Sequence, residues 1–389
     1  MAFNPFSPEF QADPYPAYAE LRADDPVSHQ EGFNSWLISR YDDVAYVLKN
    51  PTLFSSSAIG MQIDGKQTRT IINTDPPDHT KMRNLVNRAF TPRMVLDMEP
   101  RIREITSGLL DRVVPSGEMD LVEDLAVPLP VTVIAELLGV DPSRREEFKR
   151  WSDSVISQSS NADGDGQQPG LDLEQFIGYF RDVIEQRRRR PQGDLISAVV
   201  AAEEGELKLT PEEVLAFVGL LLIAGNETTT NLISNAMLAL FDHAGQLAAV
   251  AADASLIPNM LEEALRYDSP VQFLFRTTTE DAEVGGSLIP KGSGVVPIYA
   301  SANRDERRFA DADCFDISRN ASGHLAFGLG VHFCLGAPLA RLEARVAFEE
   351  LFARTAELRP GGDIERLTSL FLRGLRHMPI AFAPVAAAV

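Results

Sequence analysis

Apolar residues along the chain recur mostly at helical spacing, broken by short alternating runs. Residues 17–23 read as a helix behind the opening Asp13-Pro14-Tyr15-Pro16, and 35–39 alternate like a strand. Tyr41-Asp42-Asp43 starts a further helix toward Leu48. The stretch 54–72 is irregular and reads as a mobile loop. Asp75-Pro76-Pro77-Asp78 forms a turn that opens a helix carrying His79 and Arg83, four apart and so on one face. Longer helices are expected near 100–113, 131–138 and 142–156. Residues 159–170 are almost without apolar side chains and read as a flexible connection. The four arginines at 187–190 read as a solvated helix end, where cations suit the C-terminal dipole.

The longest helical pattern starts at Thr210-Pro211-Glu212-Glu213. Thr210 can cap, Pro211 fits the first turn and Glu213 completes a capping box. The pattern runs to about Phe241, roughly 45–50 Å at 1.5 Å per residue. Its first half is apolar nearly all round and should be buried. In its middle stands Ala224-Gly225-Asn226-Glu227-Thr228-Thr229. Buried polar groups are costly unless satisfied or used. A mid-helix threonine can simply bond back to the preceding turn and bend the helix. Further on, a helix over 258–267 carries Glu263 and Arg266 three apart, and Ser269-Pro270 ends it. Strand-like residues 271–275 and short strands over 277–297 follow, then an irregular stretch, 303–319. The final segment, 367–382, alternates like a hairpin.

Composition narrows the classes. The chain has 389 residues, 44% of them hydrophobic, and a net charge of -20, which argues against a nucleic-acid partner. Two cysteines, Cys314 and Cys334, make no disulfide framework. The first ten residues contain Pro5 and Pro8 and no apolar run, so neither a signal peptide nor an anchor is expected. Residues 214–224 are too few to span a bilayer, which takes about 20. A soluble, cytoplasmic protein with one domain over 1–389 is expected. Cys334 stands among glycines 328, 330 and 336, just before a helical pattern through Leu339, Leu342 and Val346. Such a backbone can approach a flat group closely. A helix N-terminus favours thiolate, a good iron ligand. Taken alone, an inert cysteine in a turn is the plainer account.

The spacing Phe327-Gly328-x-Gly330-x-His332-x-Cys334-x-Gly336 resembles the haem-binding signature of cytochrome P-450 monooxygenases. Other segments match in order over essentially the whole chain. The resemblance implies a mainly α protein with small β-sheets. It would be a triangular helical prism enclosing haem b between the long central helix and the cysteine loop, of the bacterial soluble type. Cys334 would ligate the iron, and Phe327, Gly328 and Gly336 would shape its loop. His79, Arg83, Arg276 and His332 would hold the propionates. Ala224 and Gly225 would let the central helix pass close over the haem, with a local opening of its ladder. Thr228 and Glu227 would manage oxygen and protons. Glu263 and Arg266 would form a structural pair. Cys314 stands where an arginine is often the third member, and Arg319 is the candidate substitute. Pocket residues would be Ile59, Met61 and Ile63, then Leu220, Ile223 and Ala224, then Val271, Leu274 and Phe371. Residues 159–170 match a lid loop.

The implied reaction inserts one oxygen atom of O2 into an apolar small molecule, by hydroxylation or epoxidation. Electrons would come from NAD(P)H through a separate ferredoxin and ferredoxin reductase, since the chain shows no flavin or iron–sulfur motif. Arg88, Arg341 and Arg345 would offer a basic docking patch. A monomer with no nucleic-acid or membrane partner is expected, acting in secondary metabolism. A peroxygenase driven by H2O2 is a second reading, opposed by the Glu227-Thr228 pair. A non-catalytic haem protein that binds a ligand is a third, opposed by the polar segment of the central helix.

Overall fold

The computed structural model describes residues 4–57, 61–63, 66–160, 169–201 and 209–385; for 33, 61–63, 66, 67, 88, 89, 92, 155–160, 169 and 170 it describes the backbone alone. The chain is 57% helical, with small sheets at the margins. Pro211–Asp242 forms the central helix. The Thr210 hydroxyl accepts from the Glu213 N–H, and the Glu213 carboxylate accepts from the Thr210 N–H. A cap of this kind stabilises a helix by about 1 kcal/mol. Most of the helix is buried: its first half packs with Trp151, Phe148 and Phe180, its second half with Leu261, Leu339 and Phe348.

Pro128–Leu138 crosses one side of the central helix, and Ala337–Arg354, which follows Cys334, packs on the other half. Ile257–Tyr267 and Glu99–Val113 cover Ala337–Arg354 in turn. The main sheet orders its strands Val27–Gln30, Ser35–Ile38, Gly294–Pro297, Arg276–Thr278 and Phe54–Ser55. Val295 pairs with Trp36 in parallel and with Arg276 in antiparallel register. This pairing fixes the start of the strand on which Arg276 stands.

Several expectations change. The irregular loop at 54–72 contains strand Phe54–Ser55 and an antiparallel pair, Met61–Ile63 with Lys66–Thr68. Ile59 lies outside the described residues, as do the side chains of Met61 and Ile63 and the lid segment 161–168. The helix expected over 142–156 opens as a 3-10 turn, Pro142–Arg144, and continues as Arg145–Ser160. The C-terminal hairpin pairs Glu365–Arg366 with Leu375–His377, and Pro379–Pro384 then leaves to join Thr355–Pro360 and Glu118–Asp120. The arginine run is not uniformly solvated. Arg187 is buried, paired with Asp194 and donating to the Gly139 carbonyl, because the chain turns back there to start Leu195–Val200.

Candidate active site

The cysteine loop is closed by its own backbone. The Cys334 N–H donates to the Phe327 carbonyl at 2.8 Å. Gly328 takes φ +70° and Gly330 φ +74°, the left-handed region that glycine tolerates. A Cβ on Gly330 would lie 2.6 Å from the Leu48 carbonyl oxygen, so the loop can pack on Tyr41–Lys49 only without a side chain there. A Cβ on Gly336 would meet only the Cys334 sulfur, at 3.9 Å. Burial pushes the Cys334 thiol up, against the N–H groups of Gly336 and Ala337 and the charges of Arg83 and Arg341. Burial therefore outweighs the helix N-terminus, and the expected bias to thiolate needs a bound metal, which deprotonates a ligating thiol outright.

His79, Arg83, Arg276 and His332 come together from three separate segments. The His79 and His332 rings lie 4.3 Å apart. Arg83 donates to the Val331 carbonyl at 3.1 Å, tying the helix Asp78–Ala89 to the cysteine loop. The His332 pKa is pushed down to about 3, by burial first and then by Arg276, His79 and Arg83. His79 is 1% exposed and neither of its ring nitrogens has a partner. Asp75, the carboxylate that acts on His79, is already bound by the Ser55 hydroxyl and the Ser56 N–H. Among the described residues neither Arg83 nor Arg276 has an ion-pair partner. Basic groups crowded together without counter-ions are unfavourable, and a dianionic group bound among them would relieve this. Haem, with two carboxylates and an iron for a soft sulfur ligand, fits this donor set.

On the central helix, Ala224 is exposed, and Leu220, Ile223 and Thr228 are half-buried, although the rest of the helix is mostly enclosed. These residues share one face. The expected opening of the ladder is not seen; the helix is continuous, and the Thr228 hydroxyl donates to the Ala224 carbonyl at 3.1 Å. That bond satisfies the threonine without a break. Gly225 also meets a second neighbour. A Cβ there would lie 2.9 Å from Ile134 Cγ1, so Gly225 lets Pro128–Leu138 pack closely on the side away from Ala224.

Glu227 is buried. Its carboxylate accepts from Lys149 Nζ at 3.2 and 3.4 Å, and Lys149 also binds Asp153. Burial raises the Glu227 pKa, and Lys149 opposes the rise. Lys149 and Asp153 line a cleft of about 390 Å³ together with Arg112, Glu123 and Arg150, so solvent reaches the outer end of this ion pair. Lys149 had no signal in the sequence, since it arrives from a helix 78 residues earlier.

Glu263 and Arg266 are fully buried and joined by two hydrogen bonds, 2.7 and 2.8 Å. Arg266 also donates to the carbonyls of Asn303, Ala312 and Cys314. Arg319 does occupy the third place, at 3.1 Å from Glu263. Position 314 contributes only its carbonyl.

Val271 and Phe371 are brought together: Val271 bridges Leu372, and the Gln272 N–H donates to the Phe371 carbonyl. Val271 and Leu274 edge one apolar cluster and Phe371 another; Leu220 and Ile223 belong to neither. The expected basic docking patch is corrected. Arg341 forms a two-pronged pair with Glu262, and Arg345 binds Glu99 and Glu349, so these charges are offset. The Arg88 side chain lies outside the described residues.

A backbone-closed cysteine loop beside two arginines and two histidines that lack counter-ions among the described residues, facing the open side of a long helix, is the arrangement of a haem-thiolate oxygenase. Comparison with known proteins agrees. The cytochrome P450 family model matches residues 172–370. A Bacillus spizizenii protein, cytochrome P450 109, is 43% identical over 375 residues, which is 94% of this chain and 91% of that one. The monooxygenase PikC of Streptomyces venezuelae is 41% identical over 96% of this chain and 92% of its own. The structure of CYP109Q5 from Chondromyces apiculatus superposes with a TM-score of 0.90 at 45% identity, over 99% of both chains. The chain belongs to the cytochrome P450 family and has its fold. It is a monooxygenase that uses haem b and draws electrons from NAD(P)H through redox partners. Among the described residues no helix is long and apolar enough to cross a membrane.

Proposed function

We propose that this chain, acting as a single domain, hydroxylates or epoxidises a bulky apolar molecule, with Cys334 as the iron ligand. When bound, haem supplies the activation of O2. The chain's own residues do the rest. His79, Arg83, Arg276 and His332 would hold the haem's propionates. The observation that carries this reading is the partnerless, buried His79 beside His332, Arg83 and Arg276. Leu220, Ile223 and Ala224 present an apolar wall, with Val271, Leu274 and Phe371 as a second wall. Thr228 offers a hydroxyl at that wall, and the Glu227 carboxyl, paired with Lys149, relays protons behind it.

The electron donor is a ferredoxin with its reductase, and the protein works as a cytoplasmic monomer. A relative from Bacillus megaterium was solved with testosterone and with corticosterone, and another relative is a vitamin D(3) 25-hydroxylase. A rigid, polycyclic substrate of that size suits walls built of Leu, Ile, Val and Phe. The reading is tested with ferredoxin, reductase, NADPH and testosterone. Oxygen uptake that depends on the steroid, with a hydroxylated product, supports it; turnover with H2O2 alone and none with NADPH refutes it.

Thr228→Ala is expected to keep oxygen uptake but lose most product, releasing peroxide instead. Glu227→Gln is expected to slow product formation about a hundredfold, at the low end of general acid catalysis. Unchanged product per NADPH in both variants removes this pair from proton handling.

A pH effect follows from His332. The ring stays neutral in the folded chain down to about pH 3, whereas in the unfolded chain it protonates near 6.5. The haem-free protein therefore loses stability as pH falls from about 6.5 toward 3. Propionates would hold the ring's proton and reduce that loss. Melting temperatures of haem-free and haem-loaded protein are expected to diverge over this window. If they fall in parallel, or if His332→Gln behaves like the wild type, His332 does not meet a propionate.

A further inference from the structure

The turn 369–372, which carries Phe371, is held from two directions. One hold is the neighbouring stretch of the same wall. The Gln272 N–H donates to the Phe371 carbonyl at 2.8 Å, the Arg373 N–H donates to the Pro270 carbonyl at 2.9 Å, and Val271 bridges Leu372. The other hold comes from near the start of the chain. Gln11, in the short helix Pro8–Ala12, stands 358 residues before Ser369. Its amide nitrogen donates to the Ser369 carbonyl at 3.1 Å, and its amide oxygen accepts from the Ser369 N–H at 3.4 Å. One side chain serves both backbone groups of Ser369, as a neighbouring strand would. Ser369 is 4% exposed, so water is a poor substitute for that partner.

Gln11 is itself anchored. Its amide nitrogen also donates to the Pro5 carbonyl, and its own carbonyl accepts from Arg373 Nη1 at 3.1 Å. Arg373 Nη2 donates to the Ala12 carbonyl at 3.0 Å, and Arg373 Nε donates to the buried Asp268 at 2.7 Å. The Tyr15 hydroxyl donates to the same Asp268 oxygen. Residues 369 and 373, on either side of Phe371, are both fastened to residues 11 and 12, with a buried ion pair behind them. Phe10, Leu370 and Phe371 edge one apolar cluster around Tyr18. Apolar contact of that kind is non-directional and does not fix the place of a turn. The hydrogen bonds to Gln11 do, because each requires a particular distance and direction.

We propose that Gln11 is a positioning residue for specificity. By gripping both backbone groups of Ser369 it fixes where Phe371 stands in the pocket wall, and so which part of a bulky apolar ligand comes to rest over the haem. Gln11 acts through the turn, as a remote residue that sets the shape of the wall. A misplacement of about 1 Å at a positioning group can cost about a hundredfold in rate, so a small shift of the turn is enough to change the outcome. This rests on the reading of Phe371 as a wall residue of a haem monooxygenase.

The haem-loaded protein is tested by titration with two iron-binding azoles, imidazole and phenylimidazole, followed by the shift of the haem absorption band. Imidazole reports on the iron alone, whereas the phenyl group reaches the pocket walls. In Gln11→Ala the Kd for phenylimidazole should rise about fivefold, the weight of one hydrogen bond, while that for imidazole stays unchanged. Gln11→Met, which fills the same space without the hydrogen bonds, should behave in the same way. With ferredoxin, reductase, NADPH and testosterone, the ratio of hydroxylated isomers should change by a similar factor in both variants. Any pattern other than a change confined to the larger azole overturns the proposal. A Gln11→Met protein that matches the wild type does so too, since packing alone would then hold the turn. Loss of folding or of haem in both variants makes Gln11 a merely structural residue and also overturns it. Failure of the underlying reading shows separately, as a wild-type protein without an azole shift or without a thiolate-type carbon monoxide band.

Discussion

Cys334→Ala is expected to abolish monooxygenase turnover and the thiolate-type band of the reduced, carbon monoxide-treated protein. The loop itself should survive, because its closure depends on the backbone bond from residue 334 to the Phe327 carbonyl and on the left-handed glycines 328 and 330. Cys334→His gives the sharper comparison. An imidazole can still bind iron, and the four basic groups can still hold propionates, so haem content should be retained while the thiolate band and turnover disappear. The sulfur's electron push toward the distal side is the property that histidine lacks. A Cys334→Ala protein that keeps the band, or a Cys334→His protein that keeps turnover, would falsify the assignment of the iron ligand.

Arg266→Ala is expected to have the largest effect on stability. It leaves the fully buried Glu263 with Arg319 as its one remaining cation among the described residues, and it strips the donor from three carbonyls of the 303–314 stretch. Removing one partner of a buried ion pair typically costs about 3–5 kcal/mol. That approaches the whole net stability of an ordinary domain, about 5–15 kcal/mol. The variant should give little soluble protein, and what folds should unfold at a much lower urea concentration. A loss below about 1 kcal/mol would place the pair among weak surface bridges and out of the core.

How much of this was readable beforehand depends on range. The cap at Thr210, the strand at Ser35–Ile38 and the helix bearing His79 and Arg83 are local, and periodicity and capping chemistry reveal them. The cysteine loop was readable because each glycine answers a nearby demand, as Gly330 does against Leu48. Lys149 was not, because only the packing of two distant helices sets it beside Glu227. The packing of Gly225 on Ile134 was hidden for a similar reason: the sequence shows that a small residue is needed, not every neighbour that needs it. The docking arginines were misjudged because their glutamate partners lie on other helices.

The ring of carbonyls around Arg266 has a practical consequence at residue 314. The network takes the main chain of Cys314 and leaves its side chain at the surface. A thiol reagent should therefore mark position 314 of the haem-loaded protein without disturbing the fold, since the proposed iron ligation would hold the half-exposed Cys334. A fluorophore attached there would stand on the stretch that leads into the cysteine loop. Its emission would report on the folding of that stretch, with the natural sequence unaltered.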